Sequence, residues 1–135
     1  MMQKYLFHSR STFILLIFLC LSSCISPLNK DSMIIEGSVK GLRKGTLYLK
    51  KVVDSSFSIV DSFVIKGDER FILSSRIDNP EIFKLNLKKD DGDTLNDEII
   101  FFGSKGKIKI DTRLNTFESS AKIDGSKNND LLEEY

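Results

Sequence analysis

Tryptophan is absent from this 135-residue chain, and histidine, cysteine and proline are scarce. His8, Cys20 and Cys24, and Pro27 and Pro80 are the whole complement. The one histidine and both cysteines fall within the first 24 residues, so everything beyond Cys24 has neither side chain. Over that stretch a Cys/His zinc site is excluded, as are Ser-His-Asp and Cys-His nucleophile systems. Carboxylates remain for acid–base work, but the commonest catalytic side chain is missing. Charge of one sign is also lacking. Twenty basic residues against 19 acidic ones leave a net of +1, which excludes a general grip on nucleic acid or a polycationic membrane face. Present instead are ten phenylalanines, with 41% hydrophobic and 29% charged residues. That is the composition of an ordinary globular protein, at a length that suits one domain.

The first 24 residues read differently from the rest. Lys4 and Arg10, with His8 between them, make a basic start, and no acidic residue occurs before Asp31. The apolar run Thr12–Leu21, "TFILLIFLCL", follows. It is half the ~20 residues a spanning helix needs and matches the core of a signal peptide. Directly after it stands Leu21-Ser22-Ser23-Cys24. This order resembles the lipobox of bacterial lipoproteins: an aliphatic residue, two small residues that let the backbone enter a peptidase, then a cysteine. The resemblance implies that residues 1–23 are a signal peptide and that Cys24 is the lipidation site. Its thiol would take a diacylglycerol through a thioether, and its freed amine an acyl chain such as palmitate. Cys20 then belongs to the discarded segment, and neither cysteine does redox work. Loss of Lys4 and Arg10 takes the 20 basic residues to 18, against 19 acidic, a net of −1. Residues 25–32, "ISPLNKDS", read as a polar tether that would reach roughly 25 Å when extended. Ile25, where an aspartate can act as an inner-membrane retention signal, fits delivery to the outer membrane.

From Met33 the apolar residues recur in twos. Ile35, Gly37 and Val39, then Leu47 and Leu49, alternate with polar neighbours. Phe57, Ile59, Phe63 and Ile65 fall on one face of a longer strand interrupted by Asp61. Phe71 and Leu73, then Phe83, Leu85 and Leu87, then Ile108 and Ile110 continue the alternation. Ile99–Phe102 is continuously apolar, as expected of a strand covered on both faces. Turn residues punctuate these runs: "GLRKG" (41–45), "KGDE" (66–69), "DNP" (78–80), "KDDGD" (89–93) and "GSKG" (103–106). The pattern predicts an all-β antiparallel sandwich or barrel-like sheet of about seven short strands over residues 33–125. After Gly125, Ser126 is a helix cap candidate, and Leu131, Leu132 and Tyr135 have helical spacing, so 126–135 reads as the start of a C-terminal helix.

The run "GSVKGLRKGTLYL" (37–49) resembles the opening of the domain of unknown function 4369. The likeness continues through Asp61-Ser62, Gly67 with Phe71, Pro80, "GKIKI" (106–110) and "GSKNN" (125–129). Proteins similar to this are envelope lipoproteins of Bacteroidota, in which the domain often precedes a thioredoxin-like thiol–disulfide oxidoreductase. No CxxC occurs in this sequence, so redox activity does not carry over, and the domain brings no catalytic residues of its own.

Two motifs have plainer readings than the chemistry they suggest. "KKDDGDTLNDE" (88–98) clusters Asp90, Asp91, Asp93, Asp97 and Glu98, but its spacing is not that of a calcium loop, and one loop cannot flank a sugar from both sides. A hairpin turn accounts for it. "GSKGK" (103–107) lacks the phosphate-loop spacing and precedes a strand, so it too reads as a hairpin turn. Lys105, Lys107 and Lys109 form a solvated face, of the kind that protects a sheet edge. The expected function is therefore that of an outer-membrane or surface lipoprotein, a non-catalytic module that binds or positions an envelope partner. It is held to the membrane by its lipid, with no cofactor, metal or nucleic acid. The alternatives are a truncated member of a thiol–disulfide oxidoreductase lineage and a small-ligand or glycan binder.

Overall fold

The computed structural model describes residues 31–90 and 97–125. The expected leader, Cys24, the tether as far as residue 30, the acidic turn at 91–96 and the helix at 126–135 lie outside the described residues. The described residues form eight strands: β1 Ser32–Lys40, β2 Lys44–Val53, β3 Ser56–Lys66, β4 Arg70–Arg76, β5 Glu81–Lys89, β6 Asp97–Gly103, β7 Gly106–Arg113 and β8 Lys122–Asp124. They form two four-stranded sheets, in the orders β4-β1-β7-β8 and β3-β2-β5-β6. The fold is all-β and sandwich-like. The single helical piece among the described residues is a 3-10 turn, Leu114–Thr116. The eighth strand escaped the sequence pattern because its three residues hold one apolar side chain, Ile123.

Alternation decides which residues face inward. Met33, Ile35 and Val39 of β1 meet Leu47 and Leu49 of β2, Phe83, Leu85 and Leu87 of β5, and Ile108 and Ile110 of β7 in one buried core. Phe83 and Phe101 stack at its centre with ring centroids 5.8 Å apart. Such a pair adds about 0.5–1.5 kcal/mol beyond its buried area. The 3-10 turn and Phe117 close one end. Phe117 is buried, and its carbonyl accepts a 2.6 Å hydrogen bond from the buried Thr112 hydroxyl.

Four expectations are corrected here. The sheets are not wholly antiparallel, because β1 runs parallel to β7. The 103–106 turn is not a hairpin, since it carries the chain from one sheet to the other. β7, with Lys107 and Lys109, is an interior strand between β1 and β8 and protects no edge. Finally, β6 is covered on one face only: Ile99 and Phe101 are buried, whereas Ile100 is 54% exposed.

The fourth correction extends to β3. Leu49 pairs with Asp61, but the next residue, Lys50, pairs with Ile59, leaving Val60 as a bulge. One extra residue in a period-2 strand transfers the side chains beyond it to the opposite face. Ile65 is therefore buried and Phe63 packs on the core, while Phe57 and Ile59 look outward.

Candidate functional site

The sandwich has two distinct ends. At the entry end β1 begins, with Ser32 beside Arg76 and Met33 beside Gly106. The β6–β7 turn is fastened there by a 2.6 Å ion pair from Lys105 to Asp31. β1 then runs to the far end, where Lys40 lies beside Arg113.

The far end carries a polar groove of about 780 Å³ between β1, β7, β8 and the loop that follows β7. Ser38 and Lys40 line one side, Asp111, Thr112 and Arg113 the floor, and Ser119, Ser120, Lys122 and Asp124 the other side. Local hydrogen bonds fix the wall. The Ser120 hydroxyl donates to the Thr116 carbonyl at 2.7 Å, accepts from the Arg113 backbone N–H at 3.1 Å, and stands 3.0 Å from the Thr112 hydroxyl. Asp111 accepts from Ser38 at 2.8 Å and pairs with Lys109 at 2.7 Å. The Lys109 ammonium, opposed by partial burial and aided by Ser38, holds the Asp111 carboxyl below the usual carboxylate range. The same contact raises Lys109. With Asp111 engaged by Lys109, the cations Lys40, Arg113 and Lys122 outnumber the remaining carboxylate, Asp124. Hydroxyls alternating with cations suit a polar, anionic ligand. Of the residues here only Lys109 stood out in the sequence, and there as part of a solvated face; the loop residues of the wall, 114–121, have neither strand nor helix periodicity to place them.

The other unusual surface is the outer face of the β3-β2-β5-β6 sheet. One cross-strand row reads Ile59, Lys50, Lys84, Ile100. Toward the entry end the next row holds Phe57 opposite Val52, then Ile82 opposite Phe102. Phe57, Val52, Ile59, Ile82 and Ile100 are all more than two-fifths exposed. Lys84 lies across the face, its ammonium 4.2 Å from the Phe57 ring centre and 2.8 Å from Glu98.

Of the residues singled out in the sequence, Cys24 lies outside the described residues, as do Asp91 and Asp93. Glu98 is engaged by Lys84, and Lys107 pairs with Glu36 at 3.0 Å. Among the described residues no three His, Cys, Asp or Glu side chains gather as a metal ion requires. No helix among them is long and apolar enough to cross a membrane.

No curated protein and no solved structure matches the chain. One family does, over residues 33–132, a span that takes in nearly all of the described sandwich. By that match the chain belongs to the family described as Domain of unknown function (DUF4369).

Proposed function

We propose that the chain is a lipid-anchored module of the cell envelope, on the outer membrane, that binds and positions a partner without catalysing a reaction. The supporting observation is the opposition of its ends: β1 enters at one and the polar groove opens at the other. The tether that follows Cys24, residues 25–32, holds the entry end within roughly 25 Å of a bilayer and turns the groove away from it. Stable anchoring needs more than one acyl chain, which a diacylglycerol and an N-acyl group on Cys24 provide. Binding rather than catalysis follows from the groove's chemistry: lysines, an arginine, hydroxyls and carboxylates, with no histidine or thiol in residues 25–135. The lining also favours a second reading, a small anionic glycan as the ligand itself.

Intact mass of the membrane-extracted protein tests the anchor. It should show an acylated N-terminal Cys24, and a mass retaining Met1 without lipid would refute it. Capture from solubilised envelopes tests the groove. The Arg113→Glu, Lys122→Glu variant should lose whatever the unaltered protein retains, and equal retention by both would exclude the groove. Binding to an acidic glycan array, abolished by the same variant, would select the second reading.

A further inference from the structure

The outward apolar rows have no role in the groove, and their place in the fold suggests one. The β2–β3 hairpin carries Val52 and Val53 on one arm and Phe57 and Ile59 on the other, all substantially exposed. Beyond Lys51↔Phe83 its arms are no longer paired with β5. Ile82 and Phe102 prolong the same surface at the start of β5 and the end of β6. This is also the end where Asp31 meets Lys105 and the chain enters from Cys24. Exposed apolar surface gathered at one place on a small domain marks an interaction site. A lysine within such a surface, here Lys50, can lay its stem on apolar neighbours and extend its ammonium group to a phosphate, while Lys84 stays with Glu98 and Phe57.

We infer that this face rests on the phospholipid surface to which the chain is anchored, with the hairpin tip between the headgroups and Lys50 against lipid phosphate. The inference rests on the anchored reading above. The occupant follows from the tether: about 25 Å of chain leaving the same end keeps the hairpin close to the bilayer at all times, where weak apolar insertion suffices. Docking would fix the tilt of the sandwich and hold the far groove in one direction.

The absence of tryptophan makes the test clean, since one introduced indole reports alone. Phe57→Trp places it on the proposed face, and Ile72→Trp places it on the outer face of the other sheet, where Ile72 is 55% exposed. Both lipidated variants are reconstituted into phosphatidylcholine–phosphatidylglycerol vesicles carrying brominated acyl chains. The indole at position 57 should shift to the blue and be quenched roughly twofold or more beyond that at position 72. Circular dichroism confirms that both variants are folded. Equal quenching at the two positions, or none at either, overturns the docking, the latter leaving the face for a protein. The mass of the Cys24 N-terminus reports the anchor independently, so failure of docking and failure of anchoring are told apart.

Discussion

Gly37 sits where β1 lies against β7, and a Cβ built on it would overlap the carbonyl oxygen of Ile110. The obstruction is backbone, which cannot rotate away. Gly37→Ala should therefore cost at least ~2 kcal/mol through overpacking, seen as a lower denaturant midpoint; an unchanged midpoint would show that β1 and β7 can separate freely. The β2–β3 turn offers the opposite case. Asp54 and Ser55 both hold positive φ, 48° and 66°, the geometry of a two-residue turn that favours glycine. Ser55→Gly should raise stability by up to ~1 kcal/mol, measured in the same titration. Titration in acid follows from three other side chains. Hydrogen bonding to Lys105 lowers Asp31, to Lys109 lowers Asp111, and to Arg70 brings Asp68 to about 2. A carboxyl that ionises more readily folded than unfolded contributes stability above its ordinary value of 3.8, lost as the pH falls through the folded value. Lys109, raised by Asp111, has the opposite sign: its contribution is present below 10.5 and fades as the pH rises past its folded value. The thermal midpoint should drop below about pH 4, by less at high salt because these pairs are exposed. A midpoint flat from pH 5 to about pH 2 would contradict the three pairs.

Asp61 is an element-scale feature disguised as a defect in a strand. Its carboxylate accepts from its own neighbour Ser62 N–H at 2.8 Å and from Ser74 N–H on β4 at 2.7 Å. β3 and β4 are edge strands of different sheets, so this one side chain joins the two layers along their open side and occupies a donor that would otherwise invite another chain. Asp61→Ala should cost about 1–3 kcal/mol and speed hydrogen exchange at the Ser74 amide; unchanged protection there would remove the stitch. The positions of six strands were readable from alternation and that of β6 from its apolar run; Leu47, Leu49, Phe83, Leu85, Ile108 and Ile110 all face the core. The bulge at Val60 was not, because a register slip leaves no mark on composition: Phe57 and Ile59 look like core residues and are surface. The apolar run of β6 misled for a related reason. Ile100 is apolar yet 54% exposed, and a continuous apolar run does not tell a covered outer face from an open one. The parts that escaped a two-residue period, the far groove and the outward rows, are the two candidate interaction sites.

At the scale of the whole molecule, chain order and spatial order are interleaved. One sheet takes β1, β4, β7 and β8, the other β2, β3, β5 and β6, and the chain passes between layers after β1, β3, β4 and β6. Neither sheet is an unbroken run of strands, since β4 falls between β3 and β5, and β1, at the heart of the first sheet, waits for β7 to arrive some seventy residues later. Such non-local pairing gives nothing a basis for folding alone, so unfolding should be a single two-state transition. The Phe83–Phe101 stack provides the lever, because it lies where β5 and β6 press on the opposing sheet and both rings are fully buried. Phe101→Ala removes the stack and opens a cavity, a loss of about 3–5 kcal/mol. That is a large share of the ~5–15 kcal/mol by which a domain of this size is held folded. The prediction is a lower midpoint at which far-ultraviolet dichroism and the emission of an indole placed at position 72, on the other sheet, still change together. If the indole's transition instead stays at its original midpoint while the dichroism splits into two steps, the sheets unfold separately. The sandwich would then be two layers resting on each other, and a face docked on lipid could not orient a groove on the layer above it.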